Sequence, residues 1–346
     1  MSSDPEIQFE RRGAAGIVTL NRPQALNAVT LIMVRALRAQ LDQWRDDPAV
    51  TRVLVCGAGE RAFSAGGDLR QVFELGRAGR HEDALTYWRE EYALNTVIKR
   101  YPKPYVALID GIVMGGGVGV SVHGSHRVAG DKLLFAMPEV NIGFFPDVGA
   151  TWFLPRMPGE FGTWCALTGD RLRTADALAA GVATHHVPSR KFPELIEGLC
   201  GTVPVDALLA AFAEKLPAGP VASERASLDR LFAGDTVEAI LRQLDAAVSD
   251  WATATAATIR TRSPTSLKIA LAQVRKGAAL SFEDCMRTEF RIVSRVVHGH
   301  DFYEGVRALI IDKDNRPQWL PPALAGVGEG DVARYFAPLE RELVLP

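Results

Sequence analysis

Tyr105-Val106-Ala107-Leu108-Ile109, then Gly115-Gly116-Gly117, then Val118-Gly119-Val120-Ser121-Val122: this succession of buried strand, glycine turn and apolar helix decides the architecture. An earlier stretch has the same form. Arg52-Val53-Leu54-Val55-Cys56-Gly57 is a short strand that leads into the glycine turn Ala65-Gly66-Gly67-Asp68, and after a loop a long helix spans roughly Glu82 to Tyr101. Two such units, with strands apolar on both faces, imply a parallel sheet covered by helices. Upstream, Ile7–Arg11 and Gly16–Leu20 read as a hairpin. Thr30 caps a helix whose Val34, Leu37, Leu41 and Trp44 recur at helical spacing. Downstream, short strands fall at His126–Ala129 and Leu133–Ala136, with helices from Val148 and from Phe161. Beyond about Pro188 helical patterns dominate (Val237–Val248, Ser266–Val274, Phe282–Val297, Phe302–Ile311). The expected division is residues 1–187 as an α/β core with the site, 188–322 as a helical C-terminal region, and 323–346 as a tail.

The bulk numbers bound the function. The 346 residues are 47% hydrophobic, enough for a sizeable core. Lys and Arg number 39 against 41 Asp and Glu, a net charge of −2, which argues against a nucleic-acid or anionic-membrane surface and means that any acidic ligand is held locally. Cys56, Cys165, Cys200 and Cys285 lie far apart and form no C-x-x-C pair, so neither zinc nor a disulfide framework is indicated. The seven histidines show no metal-ligand spacing. The polar, acidic stretch Met1–Glu10 and the absence of a long uncharged apolar run give the expectation of a cytoplasmic protein that does not span a membrane.

A tight turn accounts for either glycine cluster taken alone. Together, at the carboxyl ends of parallel strands, they place unpaired backbone N–H groups on one crevice, an arrangement able to stabilise an oxyanion. Other glycine chemistries fail on spacing. No Lys-Ser or Lys-Thr follows Gly115–Gly119, a dinucleotide fingerprint begun at Gly117 would need glycine at Val122, and His123 stands where a G-x-S-x-G elbow around Ser121 needs its second glycine.

Asn21-Arg22-Pro23 with Leu26-Asn27-Ala28, Ala62-Phe63-Ser64-Ala65-Gly66-Gly67-Asp68-Leu69, Gly111 to Gly119, and Ala136-Met137-Pro138-Glu139 resemble the crotonase (enoyl-CoA hydratase/isomerase) superfamily. Glu90-Glu91-Tyr92, Gly115 to Gly124, Phe145-Pro146-Asp147-Val148-Gly149 and Asp301 to Arg307 with Ile311-Asp312-Lys313-Asp314 resemble its 3-hydroxyisobutyryl-CoA hydrolase branch. The resemblance implies a crotonase-like spiral of ββα units and hydrolysis of a short branched 3-hydroxyacyl-CoA thioester, with coenzyme A as part of the substrate and no separate cofactor. A homo-oligomer is compatible with it. It matches the Gly67 and Gly116 amides to the oxyanion hole, assigns Glu139 and Asp147 as the working carboxylates, and puts Glu91 at the substrate's hydroxyl end. Gly119 occupies the place of the second catalytic glutamate of enoyl-CoA hydratases, so two-carboxylate hydration is not expected. A hydratase or isomerase using Glu139 alone, and a non-catalytic scaffold, are the competing readings.

From the residues alone, Glu139 reads as a turn glutamate or as a carboxyl with a raised pKa beside apolar neighbours. Asp147 reads as the N-cap of the helix from Val148, and Glu91 as part of a solvated helix face. Arg61 reads as a solvated loop arginine or a contact to a coenzyme phosphate.

Overall fold

The computed structural model describes residues 5–346. Among these described residues, ten strands form two sheets. The larger has the order β1 (Ile7–Arg12), β2 (Ala15–Leu20), β3 (Arg52–Gly57), β5 (Tyr105–Ile109), β7 (His126–Ala129), β10 (His185–His186). It is parallel apart from the β1–β2 hairpin. The smaller contains β4 (Ala62–Ser64), β6 (Ile112–Met114), β8 (Leu134–Ala136) and β9 (Leu172–Arg173), with β4, β6 and β8 parallel. The successive pairs β3/β4, β5/β6 and β7/β8 thus each supply one strand to each sheet, whereas β1 and β2 both join the larger one.

Alternation along the large-sheet strands explains why they are apolar throughout. Val53 and Val55 of β3, and Tyr105, Ala107 and Ile109 of β5, enter the main core. Leu54, Val106 and Leu108 point the other way and pack with Leu195, Leu199 and Leu209 of the helices Phe192–Cys200 and Val205–Phe212. Both clusters draw on residues from either side of position 188, so the helical region completes the core of the α/β part.

Helix α1 (Leu31–Asp46) starts at Thr30, whose hydroxyl accepts from the Met33 N–H at 3.2 Å. Helix α2 (Leu69–Arg77) occupies the stretch expected as a loop, and α3 (His81–Lys99) is the long helix. The expected apolar helix Val118–Val122 is reduced to α4 (Gly116–Gly119), and the helix from Val148 to α5 (Ala150–Phe153). The glycine turns also differ from expectation. They run off β4 and β6 of the small sheet, because a second strand intervenes after each large-sheet strand.

The stretch 323–346, read as a tail, carries a helix at Glu329–Phe336 and buries Leu343 in the main core. Lys268 Nζ donates to the Val327 carbonyl at 2.8 Å and ties this segment to the helix Pro264–Gly277. Among the described residues, no helix is long and apolar enough to cross a membrane.

Candidate active site

The motif residues of the first glycine turn hold it in place. Asn27 Nδ2 donates to the Ala58 and Ala62 carbonyls, and Arg22 pairs with Asp68 at 3.0 Å. Val29 N–H donates to Gly66 O at 2.8 Å, and Asp68 N–H to Val29 O at 2.9 Å, clamping Gly67 between them. β6 pairs with β4 and brings the second turn alongside. Gly66 and Gly115 have φ of 118° and 45°, which L side chains rarely adopt. A Cβ on Gly116 would lie 2.6 Å from Glu91 Oε1 and 3.2 Å from Gly67 N, so only glycine lets the two turns approach. Among the described residues, neither the Gly67 nor the Gly116 N–H has a hydrogen-bond acceptor, and both residues line one cavity of about 210 Å³.

Glu91, Glu139 and Asp147 line the same cavity. Glu139 opens the 3₁₀ turn Glu139–Ile142 after β8 and is 6% exposed, yet its Oε2 has no hydrogen-bond partner among the described residues. Burial, reinforced by the nearby Asp147 charge, pushes its pKa well above the carboxylate range. Asp147 Oδ2 accepts from the Tyr92 hydroxyl at 2.9 Å, and burial raises this carboxyl to about 7 despite that bond. Glu91 is 2% exposed rather than part of a solvated face. It accepts from the Tyr87 hydroxyl at 3.1 Å, and burial followed by Asp147 drives its pKa up. The solvated role belongs to its neighbour Glu90, which pairs with Arg35 at 2.7 Å.

The N-cap reading of Asp147 is corrected by the structure. Its side chain makes no cap bond. Glu289, from the helix Phe282–Val296, reaches the start of α5 and accepts from Gly149 N–H and Thr151 N–H, both at 2.8 Å. These bonds fix a loop in which Val148 and Gly149 hold φ of 51° and 92°. His123 Nε2 secures the Val148 carbonyl at 2.7 Å, and burial lowers this imidazole to about 3, so it is a neutral donor. Glu289 is itself raised to about 8, by burial first and Asp147 second. Among the described residues no lysine, arginine or histidine pairs with any of these four carboxyls, so burial and mutual repulsion both favour their protonated forms.

Apolar side chains form the remaining wall. Trp88 stacks on Phe144 with ring centroids 5.6 Å apart, and Ile142, Leu309 and Ile310 complete it. Leu309 and Ile310 belong to a π-helical turn, Arg307–Ile311, that continues the helix His300–Val306. Sequence reasoning missed Tyr87, Glu289 and this turn. Tyr87 lies one helical turn before Glu91, a spacing that marks them as neighbours. Glu289 stands four residues from Cys285 and from Val293, a carboxyl inside an apolar stripe. Arg61 is exposed and does not line the cavity.

Glu289→Ala would leave two buried N–H donors without acceptors. The expected results are a loss of roughly 2–4 kcal/mol by chemical denaturation and a fall in kcat larger than the change in KM. Glu289→Gln keeps one acceptor and should fall between the two. Wild-type stability and kcat in both variants would remove Glu289 from the site.

The profile of the enoyl-CoA hydratase/isomerase family matches residues 15–336. The chain is 47% identical over 98% of its length to the mitochondrial 3-hydroxyisobutyryl-CoA hydrolase of Danio rerio, covering 92% of that protein. To the human protein of the same name it is 43% identical, covering 96% and 89%. Among solved structures, a carnitinyl-CoA dehydratase from Mycobacterium thermoresistibile superposes with a TM-score of 0.95 at 44% identity over 99% of each chain. An enoyl-CoA hydratase from Rhodobacter sphaeroides gives 0.93 at 38% identity over 99% and 100%. Fold, motif order and overall identity agree, and this chain belongs to the crotonase (enoyl-CoA hydratase/isomerase) family.

Proposed function

We propose that this chain hydrolyses 3-hydroxyisobutyryl-CoA to 3-hydroxyisobutyrate and coenzyme A, with neither a metal nor a redox cofactor. The observation that carries this reading is the unpartnered Glu139 Oε2 in the same cavity as the two free glycine N–H groups. In a family whose vertebrate relatives bear that hydrolase name, a thioester carbonyl oxygen placed between the Gly67 and Gly116 amides would be stabilised as negative charge develops on it. Ionised Glu139 then attacks the carbonyl carbon, expelling the thiolate and leaving a mixed anhydride for water to cleave, or takes a proton from an attacking water. Asp147, poised near neutrality, donates to the departing sulfur or orients the water. Glu91 accepts the substrate's hydroxyl, and the wall of Trp88, Phe144 and Leu309 receives the branched methyl. Those relatives are named mitochondrial, in contrast with the cytoplasmic setting expected from the sequence.

Hydration is the second reading, favoured by the names of the two solved structures. Gly119 opposes it. A Cβ there would lie 2.8 Å from both Asn95 Nδ2 and Val148 Cβ, so the second glutamate of a hydratase has no room.

Free-thiol release from 3-hydroxyisobutyryl-CoA, beside loss of the enoyl absorbance of crotonyl-CoA, separates the readings. Thiol release should dominate. Gly119→Glu is expected to destabilise the protein and to gain no efficient hydration. Crotonyl-CoA hydration rivalling thioester cleavage would overturn the hydrolase reading, and inactivity in both assays would make the chain a scaffold.

A further inference from the structure

A second pocket, of about 170 Å³, shares no lining residue with the acyl cavity. Lys99, at the end of α3, Arg127 of β7 and Arg156, just beyond α5, converge on it around Trp152 and His123, and among the described residues no carboxylate lines it. Arg156 lies over the Trp152 ring, its guanidinium carbon 3.3 Å from the centroid, and Lys99 Nζ lies 5.7 Å from the same centroid.

The two arginines are fixed by the backbone rather than by acids. Arg127 donates to the Gly124, Gly181 and Val182 carbonyls. Arg156 donates to the carbonyls of Trp152, Gly277, Ala278 and Leu280. One N–H on each terminal nitrogen of Arg127 and the Nε–H of Arg156 remain unused. Lys99 has no hydrogen-bond or ion-pair partner among the described residues, and its pKa is lowered by burial and then by Arg127 and Arg156.

Three like charges held together without a counter-charge form a preorganised receptor for an anion. We propose that this pocket binds a phosphate-class dianion, a free phosphate or the phosphate of an ester, held by Lys99, Arg127 and Arg156. The inference does not depend on the thioesterase reading.

Isothermal titration with inorganic phosphate, at an ionic strength fixed with chloride, tests it on the full chain and on Lys99→Gln. Lys99 has no polar partner to lose among the described residues, so the variant should fold and melt as the wild type does in phosphate-free buffer. Wild type is expected to bind one phosphate saturably, and Lys99→Gln to weaken binding about tenfold or more. Repeating the titration with saturating coenzyme A assigns the source. Competition identifies the coenzyme's own phosphate as the ligand, and undiminished binding a separate phosphate compound. Absence of saturable binding to wild type, or equal affinity in the variant, overturns the proposal.

Discussion

Glu139→Gln is expected to lower the rate of coenzyme A release by about 10³-fold or more while the fold and coenzyme binding survive. The amide preserves the shape of the side chain but can neither attack a carbonyl nor accept a proton. No protein contact is sacrificed at Oε2, which has no partner, and the variant escapes the cost of ionising a buried carboxyl next to Asp147. Because its pKa is raised, wild-type kcat/KM should fall with decreasing pH while still above the ordinary carboxylate range, as the reactive anion is lost. Single-turnover thiol release and thermal melting on the same samples check both statements. Near-normal turnover in the variant would dismiss Glu139 from the chemistry.

Asp147→Asn should reduce kcat by about 10²-fold or more without loss of stability. The asparagine carbonyl can still accept from the Tyr92 hydroxyl, and α5 is capped by Glu289, so the substitution removes no cap bond. The sign of the pH effect follows from the raised pKa. A carboxyl moved from its ordinary 3.8 to about 7 costs nothing below pH 3.8, where folded and unfolded states are both protonated, and its cost grows as pH rises through that interval. The variant should therefore melt at or above the wild-type temperature at pH 8, with the advantage fading towards pH 4. Melting curves at both pH values, paired with thiol-release kinetics, supply the test. An unchanged kcat would return Asp147 to a structural role.

Several site features were legible because they are local. The glycine turns, the Thr30 cap and the doubly apolar strands arise from contacts within a few residues or from the period-two alternation of a strand, and such signals survive in one dimension. The motif resemblance carried Gly67, Gly116, Glu91, Glu139 and Asp147, and all five line one cavity. Where expectation and structure part, the interaction spans the chain. Of the small sheet only β8 was expected, at Leu133–Ala136; β4 and β6 are each three residues long, too short to show a period. Glu91 looks solvated on its own helix, and only the packing of that helix against the glycine turns and the Asp147 loop buries it.

The sequence by itself determined the parallel α/β architecture and the position of both glycine turns, since each is written in residue type and short-range spacing, while Glu91, Glu139 and Asp147 were named by the motif resemblance and not by their local pattern. Only the tertiary structure decided how those carboxyls behave. Asp147 is freed from capping because Glu289, 140 positions from Gly149, takes both amide bonds. Among the described residues the four acids are buried near one another with no cation paired to them, and their protons are governed by burial and mutual repulsion, quantities that depend on distance through space and not along the chain.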